Sequence, residues 1–391
     1  MKEIRTGIVG IGNMGFAHAS CIYGGGVKGM RLCALCDTDE RRLERARTEF
    51  GGVRLFDEYE RLFASGLIDA VIIAVPHRLH AEIAVAAFKS GLHVMTEKPA
   101  DISVSAVRKM NAAAADSKKV FGIMFNQRTN PLYCRAREFV RNGRLGELKR
   151  SVWIITNWYR TQGYYDSGGW RATWSGEGGG VLINQAPHNL DLWQWICGMP
   201  SSVTAFCDTA KYHNIEVEDD AELFVRYPNG ATGTFITSTG EYPGTNRLEI
   251  SGTRGKLVIE NGVLKLWGNG TDEREICYNK EINPADVTVD YSEFVPEELE
   301  TAHRGVLQSF AERILKGSPL VADGSEGINS LELSNAAYLS EWTGNKEIKL
   351  PLDTEEFDAF LRRKAKESAF TENSGSGEAD GKYKERWQVQ W

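Results

Sequence analysis

The segment Gly7-Ile8-Val9-Gly10-Ile11-Gly12-Asn13-Met14-Gly15 constrains this chain more than any other. The apolar run Ile4–Val9 reads as a strand, the glycines as a tight turn, and the stretch from Met14 as a helix. Gly10, Gly12 and Gly15 stand at the spacing G-x-G-x-x-G. Alone, that spacing describes any glycine-rich turn. Here it joins a strand to a helix, and Asp37 follows Gly15 by 22 residues, at the end of the strand-like run Arg31–Cys36. In such an arrangement Gly10 permits the turn, Gly12 lets the backbone approach a pyrophosphate, and Gly15 lets helix and strand pack closely. The helix start, with Asn13 and Met14, offers unpaired N–H groups and a positive dipole end to phosphates. Asp37 would accept hydrogen bonds from ribose hydroxyls and repel a 2′-phosphate, which predicts NAD over NADP. Arg41 and Arg42 nearby are read as a solvated helix face.

Strand and helix patterns continue to alternate. Ala70–Ala74, Leu92–Met95 and Val120–Met124 read as strands; Asp39–Phe50, His80–Ser90 and the stretch from Ser103 read as helices. Asp57 and Glu60 stand at capping-box spacing before a further short helix. Strands separated by helices imply parallel pairing. From about Phe125 the character changes. Ser151–Asn157 is strand-like, a loop rich in Gly, Trp and Tyr runs from Trp158 to Gly180, and Ala186–Cys197 reads as a helix. Six strand-like runs then lie between Val203 and Trp267, with Asn229-Gly230 and Asn261-Gly262 as hairpin turns. Helices return at His303–Lys316, Gly327–Trp342 and Asp353–Phe370, with Asp353/Glu356 as a capping box. The predicted fold class is α/β: a doubly wound parallel sheet, then an α/β domain with an open, mostly antiparallel sheet. The expected division is 1–124 for nucleotide binding, 125–370 for substrate binding and oligomerisation, and 371–391 as a polar tail. That tail ends in KERWQVQW, so Trp387 and Trp391 are expected to dock on the protein.

The formal net charge of −7 argues against general nucleic-acid binding. No apolar run has the length of a membrane span, and no signal peptide is visible. The seven cysteines form no regular framework and are read as reduced thiols in a cytoplasmic protein. Cys33 and Cys36 form a C-x-x-C inside a strand-like run without a second ligand pair, so no metal site is expected.

Two further segments carry chemistry. Glu97-Lys98-Pro99 directly follows a strand, where the sheet lines its ligand crevice. A lysine there can hydrogen-bond a substrate oxygen and stabilise its developing negative charge. Gly178-Gly179-Gly180 leads to Asn184 and His188, four residues apart, which one helical turn would bring to one side. A histidine suits proton transfer with a hydroxyl, and Asp191 could orient it. Pro76 and His77, after the fourth strand, are candidates for the nicotinamide side. Asn126, after the last strand of the first part, is a candidate substrate contact. In the aromatic loop Arg160, Trp170 and Arg171 suit hydroxyls and sugar faces, although its aromatic residues suit core packing equally. His303 opens a helix without an assigned role.

Taken in order, Gly10/Gly12/Gly15, Glu97-Lys98-Pro99 and the GGG…His188…Asp191 segment resemble the glucose–fructose oxidoreductase/inositol dehydrogenase (Gfo/Idh/MocA-like) family over about residues 1–350. The wording around Asn126 and Asn184 resembles members that oxidise glycosides or anhydrosugars. The resemblance implies a nucleotide domain followed by an open-sheet domain that often serves as the oligomer interface. It also implies Lys98 and His188 as the catalytic pair. Asn184 stands where many members carry Asp; an amide can hold a hydroxyl but cannot act as a base, so the proton role falls on His188. The expected activity is NAD-dependent oxidation of a sugar or glycoside hydroxyl, at ring C3 in the most specific version. An NAD-dependent glycosidase working by transient oxidation shares these requirements. An NAD(H)-sensing protein would need the glycines but not Lys98 and His188 together.

Overall fold

The computed structural model describes residues 3–283, 285, 287–297 and 300–368. The expected docking of Trp387 and Trp391 lies outside these residues. The described chain forms two compact units, one made of the residues up to Thr129 with Glu300–Leu331, the other of the remainder.

The first unit holds six strands: β1 (Ile4–Val9), β2 (Met30–Cys36), β3 (Arg54–Phe56), β4 (Ala70–Ile73), β5 (His93–Thr96) and β6 (Phe121–Ile123). They are ordered β3-β2-β1-β4-β5-β6 and pair in parallel throughout. The crossovers are α1 (Asn13–Tyr23), α2 (Glu40–Glu49), α3 (Tyr59–Ala64), α4 (His80–Lys89) and α5 (Val104–Ser117). The four residues of β4, Ala-Val-Ile-Ile, are all buried, as befits a central strand covered on both faces. Strand order reverses beside β1, so the ends of β1 and β4 open the crevice where such sheets take their ligands. Asp39 caps α2 and Ser103 caps α5 through side-chain hydrogen bonds. Asp57 does not cap α3 as its spacing predicts. Glu58 is the cap residue, while Asp57 pairs with Arg61 at 2.9 Å, because strand β3 runs on to Phe56 and delays the helix.

In the second unit the strands are β7 (Leu148–Ile155), β8 (Ser202–Thr209), β9 (Glu218–Arg226), β10 (Thr232–Ser238), β11 (Asn246–Gly252), β12 (Gly255–Glu260), β13 (Val263–Gly268), β14 (Asp290–Phe294) and β15 (Ile348–Lys349). Their order is β14-β13-β12-β11-β7-β10-β9-β8-β15. Only β7 and β10 pair in parallel. Asn261 and Gly262 both take positive φ, 52° and 75°, in the hairpin between β12 and β13. Alternation sorts the faces: on β9, Leu223 and Val225 are buried while Glu222, Phe224 and Arg226 are exposed. The helices of this stretch are α6 (Pro131–Arg141), α7 (Gln162–Asp166), α8 (Val181–Asn184), α9 (Pro187–Cys197) and α10 (Glu273–Tyr278).

Three helices remain: α11 (Ala302–Lys316), α12 (Gly327–Trp342) and α13 (Thr354–Glu367). The apolar stripe of α11, Val306, Leu307, Phe310 and Ala311, joins Ile8, Ile11, Met95 and Met124 in the core of the first unit. Asp353 caps α13 by accepting from the Glu355 N–H.

Candidate active site

The nucleotide loop is built by close approach. Gly10 has φ +86°, and a Cβ there would lie 2.4 Å from the Ala74 carbonyl oxygen; a Cβ on Gly15 would lie 1.8 Å from that of Gly10. No larger residue fits either position without moving backbone. Gly12, the first residue before α1, is different, because a Cβ there would meet nothing within 4 Å. That open space at a helix start, beside the N–H groups of Asn13, Met14 and Gly15, fits a pyrophosphate. Asp37 is buried at the end of β2. One of its oxygens accepts from the Ile11 N–H at 2.7 Å and the other from the Asp39 N–H at 2.9 Å. The carboxylate therefore holds the glycine loop against the end of β2. Arg41 and Arg42 both lie on the exposed side of α2, as expected; Arg41 pairs with Asp39, and the half-exposed Arg42 guanidinium also lies 3.3 Å from Asp37. Together the loop and Asp37 fit a dinucleotide.

The Lys98 segment is held from both sides. Glu97 is buried; one carboxylate oxygen accepts from the Lys98 backbone N–H at 3.2 Å and the other lies 2.7 Å from Nε2 of His18, on α1. Burial alone would raise the Glu97 carboxyl, but the His18 hydrogen bond, aided by the charges of His18, His303 and Lys98, outweighs it and holds the group well below the ordinary carboxylate range. On the other side, fully buried His80 places Nδ1 2.7 Å from the Pro99 carbonyl and Nε2 2.8 Å from that of Val75. Burial pushes the His80 pKa down. Pro76 starts a 3-10 turn over His77–Leu79, and the buried ring of His77 lies 6.0 Å from that of His80. The side chain of Asn126 is buried after β6, and its Oδ1 meets no hydrogen-bond donor among the described residues. An unpaired buried acceptor is costly and marks a place where a ligand donor would be welcome.

The second unit carries the GGG…His188 segment. Gly180 is obligatory, since a Cβ would lie 1.9 Å from the Glu218 carbonyl oxygen. That contact brings the Gly180 and Leu182 N–H groups to the Glu218 carboxylate, each at 2.9 Å, with the Tyr338 hydroxyl donating at 2.7 Å. Asn184 and His188 do not share one continuous helix as their spacing predicts. Asn184 ends α8, and Pro187 opens α9 after the intervening Gln185 and Ala186. Proline has no N–H to continue the ladder and suits a first helical position. The Asn184 amide donates to the buried Glu177 carboxylate and, at 3.3 Å, to the Tyr164 hydroxyl oxygen. That oxygen also takes bonds from Gln185 and from Arg171, and the Arg171 guanidinium lies 4.8 Å from the Trp170 ring centre. Asp191 is buried and accepts from Gln194 at 3.0 Å. The Arg160 guanidinium turns back to the Trp158 and Tyr159 carbonyls. Of the loop aromatics, Trp174 and Tyr165 serve packing. Trp174 lies edge-on to Tyr338 and Trp342, and Tyr165 bonds Thr239.

Sequence reading missed His18, His80, Glu177 and Glu218 as parts of these clusters. His18 had a local sign, since it stands one turn after Gly15 on the buried side of α1. The other three meet their partners through the tertiary fold and carried no comparable sign. The seven cysteines are all free thiols, and no group of metal-ligating side chains occurs among the described residues.

Comparison with known proteins agrees with this architecture. Residues 4–125 match the model described as oxidoreductase family, NAD-binding Rossmann fold, and residues 133–258 match the GFO/IDH/MocA C-terminal domain. Inositol 2-dehydrogenase of Rhizobium meliloti is 24% identical, with 86% of this chain and 96% of that protein covered. Levoglucosan dehydrogenase of Pseudarthrobacter phenanthrenivorans is 26% identical over 66% of this chain and 74% of its own. Among solved structures, the WlbA dehydrogenase of Bordetella pertussis in complex with NADH and UDP-GlcNAcA superposes with a TM-score of 0.75 at 27% identity, covering 90% of this chain and all (100%) of that one. With both of its domains matched by family models, the chain belongs to the Gfo/Idh/MocA family of NAD-dependent oxidoreductases.

Proposed function

We propose that the enzyme moves a hydride between the nicotinamide and a hydroxyl-bearing carbon of a sugar or glycoside, ring C3 being the preferred position, with Lys98 and His188 as its catalytic residues. The observation that carries this reading is the clamped lysine. The end of β5 presents Lys98 on a backbone fixed by Glu97 and His80, inside the unit that carries the dinucleotide loop. Bound NAD supplies the hydride acceptor. The Lys98 ammonium holds the substrate oxygen and stabilises its alkoxide character, and His188 takes the hydroxyl proton. Asn126, Arg160, Trp170, Arg171 and Asn184 are assigned to substrate, and Pro76, His77 and Glu97 to the cofactor side. The relatives named for inositol and levoglucosan, and the neighbour solved with UDP-GlcNAcA, support a polyhydroxylated ring as substrate class.

We assign nucleotide binding to residues 1–124, and substrate binding and assembly to 125–370 apart from Glu300–Leu331, which belongs to the first unit. The exposed face of the large sheet, where Phe206 and Phe224 stand outward on neighbouring strands, supports a homo-oligomer built through it. Free thiols throughout, with no helix among the described residues long and apolar enough to cross a membrane, support a cytoplasmic setting. A panel of monosaccharides, glycosides and polyols with NAD, scored by absorbance of the reduced cofactor, tests the activity. Net reduction of NAD favours a dehydrogenase over a glycosidase that returns its hydride, and no turnover with any of them contradicts the proposal.

A further inference from the structure

His18, Glu97 and His303 form a buried cluster behind Lys98. His18 lies on α1, Glu97 at the end of β5 and His303 at the start of α11, so three separate elements each contribute one ionisable group. The His18 and Glu97 side chains are 2% and 8% exposed, and the His18 and His303 rings lie 5.8 Å apart. Burial pushes the His303 imidazole down to about 4. The core of the same unit, with Ile8, Ile11, Met95, Met124 and Leu307, is apolar. A purely structural tie between these elements would be made at less desolvation cost by apolar side chains. The carboxylate instead has a definite task on each oxygen: one meets His18, the other takes the Lys98 N–H.

We propose that Glu97, held by His18 and flanked by His303, is a positioning residue. It fixes the backbone and the local charge from which Lys98 reaches substrate, and it ties that lysine to the helix whose N-terminus faces the cofactor phosphates. This rests on the assignment of Lys98 as a catalytic residue. His303, left without a role by the sequence, closes the cluster on the α11 side, its ring 5.8 Å from that of His18.

The proposal is tested by a double-mutant cycle with whichever substrate of the panel is oxidised. If Glu97 acts through Lys98, Glu97→Gln lowers kcat by about tenfold or more in the otherwise intact enzyme but by less than about twofold in a Lys98→Ala background, because residues acting as a unit are not additive. A merely structural carboxylate gives the same loss in both backgrounds, which overturns the proposal. His18→Gln, which restores an N–H donor near the Nε2 position, should recover most of the kcat lost in His18→Leu; equal loss in the two variants also counts against it. NADH binding and melting temperature, followed in every variant, identify any that fail to fold, and the Glu97→Gln and His18→Gln arms then decide. Normal turnover of Lys98→Ala by itself overturns the catalytic reading of the lysine, and this inference with it. Inactive Lys98→Ala beside normal Glu97→Gln overturns the inference alone.

Discussion

Replacing Asp37 separates its two roles. In the structure its carboxylate accepts from the Ile11 N–H at 2.7 Å and lies 3.3 Å from the Arg42 guanidinium. A 2′-phosphate brought to about 4 Å from the carboxylate would meet repulsion of about 4 kcal/mol per charge at an effective dielectric of about 20, roughly a thousandfold in affinity. Arg42 offsets part of this, so the native enzyme should prefer NADH to NADPH by about ten- to a thousandfold. Asp37→Ser removes the repulsion and frees Arg42 for the phosphate. It also takes the acceptor from Ile11; a hydrogen bond to a charged group contributes about 1.5–3 kcal/mol, so NADH should bind roughly ten- to a hundredfold more weakly. Asp37→Asn keeps an oxygen for Ile11 and should lose less. Titration of protein fluorescence with NADH and NADPH measures all four constants for each pair of variants. Equal binding of the two cofactors by the native enzyme would refute the reasoning about charge. An unchanged NADH constant in Asp37→Ser would refute the role in holding the loop.

Three further outcomes are expected. Asn184→Asp sets a second carboxylate against Glu177, so it should raise the KM for the sugar and make it rise further with pH; adding Glu177→Gln, whose amide can donate to the new carboxylate, should restore much of the loss, and no rescue in the double variant would show that the pair does not act through this bond. Burial raises the Glu218 carboxyl from 4.5 to about 7 despite the Gly180, Leu182 and Tyr338 donors. The folded protein then keeps a proton that the unfolded chain releases, so this contribution is full below about 4.5 and is lost as pH rises through about 7, by up to about 3 kcal/mol. Melting temperatures should therefore fall less between pH 5 and pH 8, two pH values about three units apart, in Glu218→Gln than in the native protein; identical pH slopes would contradict the assignment. Phe224→Glu should shift the protein to a smaller species in sedimentation if the sheet face is the assembly surface, and an unchanged mass would exclude that face.

Local signals carried much of this structure. The glycine loop, Asp37 and the strand-then-helix rhythm were legible because backbone sterics and period demand those residues at those places. Asn261-Gly262 was legible as a turn for the same reason, since both positions take positive φ. Helix α6 lies outside the strand–helix rhythm, which ends at Phe125; its own signs are local, Asn130 and Pro131 at its start and the short buried stripe of Leu132, Tyr133 and Ala136. The break between α8 and α9 was written in Pro187. Long-range partners were not legible. Nothing near Glu177 announces Asn184 as its donor, and nothing near Glu218 announces Gly180. An amphipathic helix shows which side is apolar but not which core receives it, so the return of α11 to the first unit had to come from the fold.

In the proposed function Lys98 and His188 carry out chemistry on a substrate hydroxyl while the glycine loop holds the cofactor. Turnover of Lys98→Ala and His188→Ala with a sugar that the native enzyme oxidises, measured beside their NADH affinity, tests it most directly. Each variant should lose about two orders of magnitude or more in kcat, as expected for removing a positioned acid–base or charge-stabilising group, with NADH binding within about threefold of native. Near-normal turnover in both variants would contradict the account and leave a nucleotide-binding fold whose catalytic residues lie elsewhere.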